Sequence, residues 1–353
     1  MNLPLVVLLT GCDPMPAECL PDATTGASSS GPGDTGDALD CSEAEAVRAR
    51  AQEGIDEIEA LRDNAHFATL DLVEMQAEAL RAATEPISEL GRTEATLGFE
   101  AHLADVTAAS TIDPAVDPAT LGLTRLSLAN SAAAVTAYVA VGRAIDDTEL
   151  HLVELEVALD DRVDDGNEAL AAYPECGLEV SAREVDAIDR ETPLDDVRYL
   201  NIEEGRALIA EALYANAAAQ SELRAIRDDA VACASETMGD DERYAYQVDF
   251  VARSAEVDRV AYSTSFNGHP LADGTRVTFA VVLGSTAQEV IDITVGDLRA
   301  MMLGVDTGTL DMTTSSTCSA AISGIDAGLE LIDGYNMLLR ANDATLDAEA
   351  DRL

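Results

Sequence analysis

Apolar residues recur every three or four positions through much of the chain, which is typical of amphipathic helices. The first such stretch covers 42–110, and Ser42 followed by Glu45 forms a capping-box pattern at its start. Pro86 falls inside the stretch, and a proline in a helix interior removes a hydrogen bond and clashes with the preceding turn. The pattern therefore predicts a long helix that is kinked or broken near Glu85.

Further helices are predicted downstream, with a proline-containing turn over 112–118 separating the first from the second. They cover 118–172, 181–191, 195–237 and 317–353. The stretch 121–145 has few charges, but its Arg, Asn, Ser and Thr make it too polar for a transmembrane helix. We therefore interpret it as a helix buried in a bundle.

The last predicted helix has the spacing of a coiled coil. Its apolar positions keep a three–four heptad pattern, and Asn336 occupies one core position. These positions are Ile322, Ile325, Leu329, Ile332, Leu339, Leu346 and Leu353. Such a seam can pack within the chain or against a second copy.

The spacing of apolar residues changes between the last two long predicted helices. Alternating apolar residues at 244–250 and 277–281, and a β-branched run at 290–295, favour strands. Residues 243–312 are therefore predicted to form a small β-rich insertion, while 41–242 and 313–353 form the helical part. The predicted fold class is mainly α, an elongated antiparallel helical bundle or coiled coil with this insertion.

The N-terminal region has a different composition. Residues 13–40 are rich in Gly, Ser, Pro, Thr and Asp and cannot bury a core, so a flexible tether is predicted there. Before it lie the apolar run 3–9 and the sequence Leu9-Thr10-Gly11-Cys12. This sequence resembles the lipobox of bacterial lipoproteins, in which the cysteine is diacylated and becomes the new N-terminus.

The lipoprotein resemblance implies a signal peptide over 1–11, a lipidated tether over 12–40 and a lipid anchor at Cys12. It also implies a location in the cell envelope, at the outer membrane or the periplasmic face. A signal peptide normally has basic residues before its apolar run, but none precedes this one. Either the start lies upstream or the similarity is fortuitous, and we expect the former.

A second resemblance lies within the predicted insertion. Residues 267–279, with the sequence NGHPLADGTRVTF, resemble a strand–turn–strand segment of bacterial Ig-like domains from surface adhesins. The resemblance covers thirteen residues, and it implies a module with the character of a β-sandwich.

Charge restricts the possible partners. The chain has 67 acidic and 21 basic residues, a net charge of −46, and every basic residue other than histidine is arginine. Because such an acidic surface repels phosphates, we do not expect nucleic acid as a partner. The acids are dispersed, which favours a solvated surface adapted to salt over a dedicated surface for cations or basic partners.

The cysteines suggest two disulfides. If the first two helices pair as an antiparallel hairpin, Cys41 and Cys176 meet at its open end; likewise the 195–237 helix ends near Cys233 and the last helix begins near Cys318, with the β insertion between them. We therefore predict these two bonds, with Cys19 left in the tether. Buried thiols or another pairing remain the alternative, because spacing does not fix connectivity.

Catalytic motifs are absent from the sequence. There is no zinc-protease motif, P-loop, dinucleotide-binding glycine pattern or nucleophile elbow. A metal site between His66 and His151 is disfavoured because the Glu-x-x-His pairs of bundle metal centres are missing. The acidic run 160–166 lacks the ligand spacing of a calcium loop. We predict no enzymatic activity, no catalytic residues, no cofactor and no metal.

A long helical body on a membrane tether is suited to contacting partners at a distance from the membrane. We therefore expect a non-enzymatic, lipid-anchored envelope protein that acts as a scaffold, spacer or adhesin-like interaction module. Its expected partners are the membrane, through the lipid, and a protein or a second copy. The alternative is an envelope lipoprotein that binds a ligand or an ion.

Overall fold

The computed structural model describes residues 41–284, 286 and 289–353. Long helices dominate these residues. They are α1 (Ser42–Ala83), α2 (Glu89–Ala109), α3 (Ser131–Leu170), α4 (Glu191–Cys233), α5 (Asp240–Ser263) and α6 (Ser315–Ala350). Two short 3₁₀ helices cover Pro114–Val116 and Pro174–Cys176.

Helices α1 and α3 form the first antiparallel hairpin. Near the start of α1, Ile55 is buried with Leu159 and Leu170 from the end of α3. Near its other end, the Gln76 amide is 3.5 Å from the Tyr138 carbonyl oxygen, close to the start of α3. Many of the buried α1 residues are alanines, whose small side chains allow close approach of the helix axes. Helix α2 packs against α1 as a third member.

Helices α4 and α6 form the second antiparallel hairpin. Polar pairs mark the register along its length: Asn216–Asn336 at 2.8 Å, Gln220–Asp333 at 2.5 Å and Arg227–Asp326 at 2.5 Å. Asn336 thus faces α4, at the core position that the heptad pattern assigns to it. The apolar seam of α6, including Ile325 and Ile332, packs within the chain rather than remaining free.

The molecule is a mainly α, elongated helical bundle, as the periodicity predicts. At 1.5 Å per residue, the 42 residues of α1 and the 43 of α4 each span about 65 Å. The break between α1 and α2 falls over residues 84–88, at the position expected from Pro86. None of the helices in the described part of the chain combines the length and apolar character needed to cross a membrane.

The predicted helix over 118–172 begins later than expected. Residues 118–130 form turns, and α3 starts at Ser131 with the Asn130 side chain accepting from the Ala133 amide at 2.9 Å. Gly122 and Arg125 both have positive φ angles, near 73° and 71°, which a helix excludes.

The predicted short helix over 181–191 is wrong. This segment is extended and lies along α1, whose side chains take up its backbone groups. Glu59 accepts from the Arg183 amide at 2.5 Å, and Arg62 donates to the Arg183 carbonyl oxygen at 2.6 Å. Hydrogen bonds to a distant helix replace those that a local helix would make.

The predicted strand over 244–250 is also wrong, because these residues lie in α5. Phe250, Ser254, Val257 and Ala261 are buried at helical spacing, and the helix packs against α4. The alternation of apolar residues in 244–250 is outweighed by this longer helical pattern. The β structure of the segment 243–312 begins only after Ser263.

Within the described residues, four short strands form two separate two-stranded antiparallel sheets. The first pairs β1 (Ser265–Phe266) with β2 (His269–Pro270) through a turn at 267–268. The second pairs β3 (Thr278–Val282) with β4 (Val290–Thr294), with Ala280 opposite Asp292. This second sheet packs against α4 and α6 through Phe279, Val281 and Ile293.

Candidate functional site

The proposed lipid anchor, Cys12, and the tether over 12–40 lie outside the described residues. At the start of the described chain, Cys41 is joined to Cys176, with Cα atoms 5.8 Å apart. Cys233 is joined to Cys318, with Cα atoms 5.7 Å apart. The first bond joins the segments that flank α1 and α3 at the open end of their hairpin, and the second joins the end of α4 to the first turn of α6, in the pairing expected from the sequence.

The two hairpins meet where α1 ends. Asn201, fully buried on α4, donates to the carbonyl oxygens of Leu80 at 3.2 Å and Val282 at 2.9 Å. Its own side-chain oxygen accepts from Arg81 at 3.1 Å, and Arg81 also pairs with Glu204 at 2.5 Å. One α4 side chain therefore connects both hairpins and the second sheet.

The backbone after α1 extends this junction by pairing with β3. The Glu85 amide donates to the Ala280 carbonyl oxygen at 2.9 Å, and the Glu85 carboxylate accepts from the Ala280 amide at 2.8 Å. Arg276 forms an ion pair with Glu85, and Asn267 donates to the Pro86 carbonyl oxygen at 2.7 Å. The β segment thus closes over the break between α1 and α2.

One histidine cluster lies between α1 and α2. The His102 Nδ1 is 2.9 Å from an Asp71 carboxylate oxygen, and Asp105 follows His102 by one helical turn. One potential ligand atom from each residue lies within 4.8 Å of the other two. Asp71 and His102 are partly exposed, and Asp105 is exposed.

The other histidines lie elsewhere. His151 Nε2 is 2.8 Å from Asp113, and its Nδ1 is 3.8 Å from Glu154. His66 borders a groove with Glu149 and Ile188. Among the described residues, His66 and His151 do not join one cluster of potential metal ligands. The acidic run 160–166 lies within α3 rather than in a loop.

An acidic cleft runs between α1, α2 and the start of α4. Glu74, Glu78, Glu94 and Asp196 line it. Burial raises the pKa of Glu78; His102 opposes that shift, and Glu74 adds to it. The cleft can attract cations, but the carboxylates that line it do not define a ligand.

Exposed apolar side chains form rows on two helices. On α3, Leu150, Val153 and Val157 are each more than half exposed and fall on one face. On α5, Tyr244 and Val248 are similarly exposed. Such rows are chemically suited to contact with another protein.

Sequence reasoning did not single out the junction or the cluster around His102. Asn201 sits in an ordinary helical pattern, and its partners are more than 80 residues away. Asp71 and His102 come from different helices, so their proximity depends on how α2 packs back on α1. The pair His102 and Asp105, one turn apart, was the available signal.

Comparison with known proteins gives partial similarities. No family model matches the chain. An 82-residue segment is 37% identical to a B-type flagellin of Pseudomonas aeruginosa; it covers 23% of this chain and only 17% of that flagellin. The crystal structure of Bacillus cereus flagellin aligns with 44% of this chain and 89% of its own, with 20% identity and a TM-score of 0.40.

Proposed function

We propose that this chain is a non-enzymatic structural protein of the bacterial cell envelope, anchored by lipid at Cys12. Its helical body acts as a scaffold, spacer or adhesin-like interaction module. The observation that carries the proposal is the architecture: two long antiparallel hairpins, each linked at one end by a disulfide. Disulfides persist in oxidising compartments outside the cytoplasm, which suits an envelope location.

Two further observations support a structural role. The 82-residue segment is similar to a flagellin, and the similarity favours a structural protein over an enzyme. The exposed apolar rows on α3 and α5 offer surfaces for a protein partner or a second copy. The resemblance of Leu9-Thr10-Gly11-Cys12 to a lipobox supports the anchor.

Membrane fractionation tests the anchor. Expressed in a bacterium that processes lipoproteins, the wild-type chain and Cys19→Ala should sediment with membranes and require detergent for release. Cys12→Ala should remain in the soluble fraction. The Cys19 variant is the matched control, because it removes a thiol seven residues away without removing the acylation site. Identical partitioning of wild type and Cys12→Ala would exclude a lipid anchor at this residue.

A further inference from the structure

We propose that Asp71, His102 and Asp105 form a binding site for one divalent transition-metal ion, of which Zn²⁺ is the test ion. The three residues offer one imidazole nitrogen and two carboxylate oxygens, and these ligand atoms lie within 4.8 Å of one another. At Zn–ligand distances of about 2.0–2.2 Å, two ligands of one ion lie at most about 4.4 Å apart. Small side-chain rotations therefore suffice to close the site.

The helices hold two of the ligands in a fixed relation. His102 and Asp105 are three residues apart on α2 and share a face, while Asp71 approaches from α1. The 2.9 Å contact between Asp71 and the His102 ring orients both side chains toward the same point. Asp105 accepts no hydrogen bond from any described residue, so its carboxylate can turn toward an ion without losing a contact. An ion here would bridge the two helices.

The ligand set selects the class of metal. A neutral imidazole with carboxylates suits Zn²⁺ and related first-row ions, whereas Ca²⁺ and Mg²⁺ prefer oxygen ligands alone. Because His102 and Asp71 are partly exposed, water can complete the coordination.

His151 provides a matched control within the chain. It also has two acidic neighbours, but Asp113 approaches Nε2 and Glu154 approaches Nδ1. Carboxylates on opposite ring nitrogens cannot share one ion with either nitrogen. A histidine between two acids is therefore present in both places, while the geometry for chelation exists only at His102.

The test is a Zn²⁺ titration of the intact chain by calorimetry, at a salt concentration that screens diffuse attraction to the acidic surface. The wild-type chain and His151→Ala should each bind one Zn²⁺ at a saturable site. Asp105→Asn and His102→Ala should bind at least about tenfold more weakly, since loss of a partner outside the ligand set alone costs about 10–100-fold. Absence of saturable binding in the wild type, or equal affinity in wild type and Asp105→Asn, would overturn the proposal.

A second readout separates metal binding from folding. Asp105→Asn leaves the Asp71–His102 contact in place, so its urea midpoint without metal should equal that of the wild type. Saturating Zn²⁺ should raise the melting temperature of the wild type and of His151→Ala, but not that of Asp105→Asn. An equal rise in all three proteins would identify diffuse binding to surface acids and contradict the site. Cys12→Ala, which lacks the anchor, should bind Zn²⁺ like wild type.

Discussion

At the scale of single residues, the junction depends on a polar side chain buried among apolar ones such as Leu80 and Val282. Asn201 uses both ends of its amide, because its nitrogen serves two carbonyl oxygens and its oxygen accepts from Arg81. A buried amide on α4 that bonds to both α1 and β3 fixes the relative positions of these three elements better than an apolar side chain would. Removing it takes a donor from two buried carbonyl oxygens and an acceptor from Arg81; the Val282 oxygen keeps only the longer bond from the Thr84 hydroxyl at 3.4 Å.

Asn201→Ala should therefore lower the free energy of unfolding by about 2–3 kcal/mol. Asn342→Ala is the control, because Asn342 is partly exposed and donates a single bond, to the Asp292 carbonyl oxygen at 3.3 Å. It should change stability by less than about 0.5 kcal/mol. Urea denaturation followed by circular dichroism measures both. Equal stabilities for the two variants would contradict the role assigned to Asn201.

Glu78 should make stability depend on pH. Burial raises the pKa of Glu78 above the ordinary value of 4.5. At a pH between the unfolded and folded pKa values, the folded chain therefore holds a proton on Glu78 that the unfolded chain has released. Stability then falls as pH rises from the unfolded pKa through the folded one. Glu78→Gln should stabilise the chain at pH 7, by less than about 1 kcal/mol because the side chain is only partly buried.

Urea midpoints at pH 4 and pH 7 test this sign. The gain from Glu78→Gln should be present at pH 7 and absent at the lower pH. Glu57→Gln, an exposed glutamate on the same helix, should show no such difference. A Glu78→Gln variant that is less stable than wild type at pH 7 would show that the carboxylate is favoured, not disfavoured, in the fold.

At the scale of elements, α6 comes very close to the loop that precedes it. A Cβ added at Gly328 would lie 2.5 Å from the Leu303 carbonyl oxygen and 3.0 Å from Leu223, so even alanine requires the backbone to move. Gly334, on the same helix, has no atom within 4 Å of such a Cβ. The two glycines therefore lie on the same helix but differ in how closely other residues approach them.

Gly328→Ala should destabilise the chain by about 1–3 kcal/mol through overpacking. Gly334→Ala should stabilise it by up to about 1 kcal/mol, since alanine is the better helix former. Thermal melting of both variants reveals the opposite signs. Stabilisation by both substitutions would mean that α6 does not approach the 303 loop this closely.

The disulfides are the other feature at this scale. Cys41–Cys176 and Cys233–Cys318 close loops with sequence separations of 135 and 85 residues. The chain-entropy model assigns each about 4–5 kcal/mol as an upper value. Replacing either pair by alanine should therefore cost about 2–5 kcal/mol in urea, while Cys19→Ala should cost nothing measurable. Insensitivity of the wild-type melting temperature to reductant would contradict this stabilisation.

At the scale of the whole molecule, sequence predicts what depends on local pattern and short-range chemistry. The break at Pro86, the bounds of α4 to within a few residues and the seam of α6 follow from periodicity and a proline. The extended segment 181–190 does not, because its backbone partners are side chains of α1 more than 100 residues away. The sequence did not predict α5, because the apolar spacing in 244–250, taken alone, fits a strand as well as a helix.

The candidate metal site shows the same division. One turn of helix relates His102 to Asp105, and that much is visible in the sequence. Asp71 joins them only because α2 folds back along α1 after the break, and pairing of that kind leaves no local signal. The anchor at Cys12 is the reverse case: its only support is local sequence.

Intact-mass analysis of the chain purified from membranes tests most directly the proposal that this is a lipid-anchored helical protein of the envelope. The sample is alkylated without reduction and compared with a reduced sample. We predict an acylated chain that begins at Cys12, with four cysteines protected from alkylation and only Cys19 modified. An unacylated chain that retains residues 1–11 and has free thiols throughout would contradict the anchor, the location and the disulfides together.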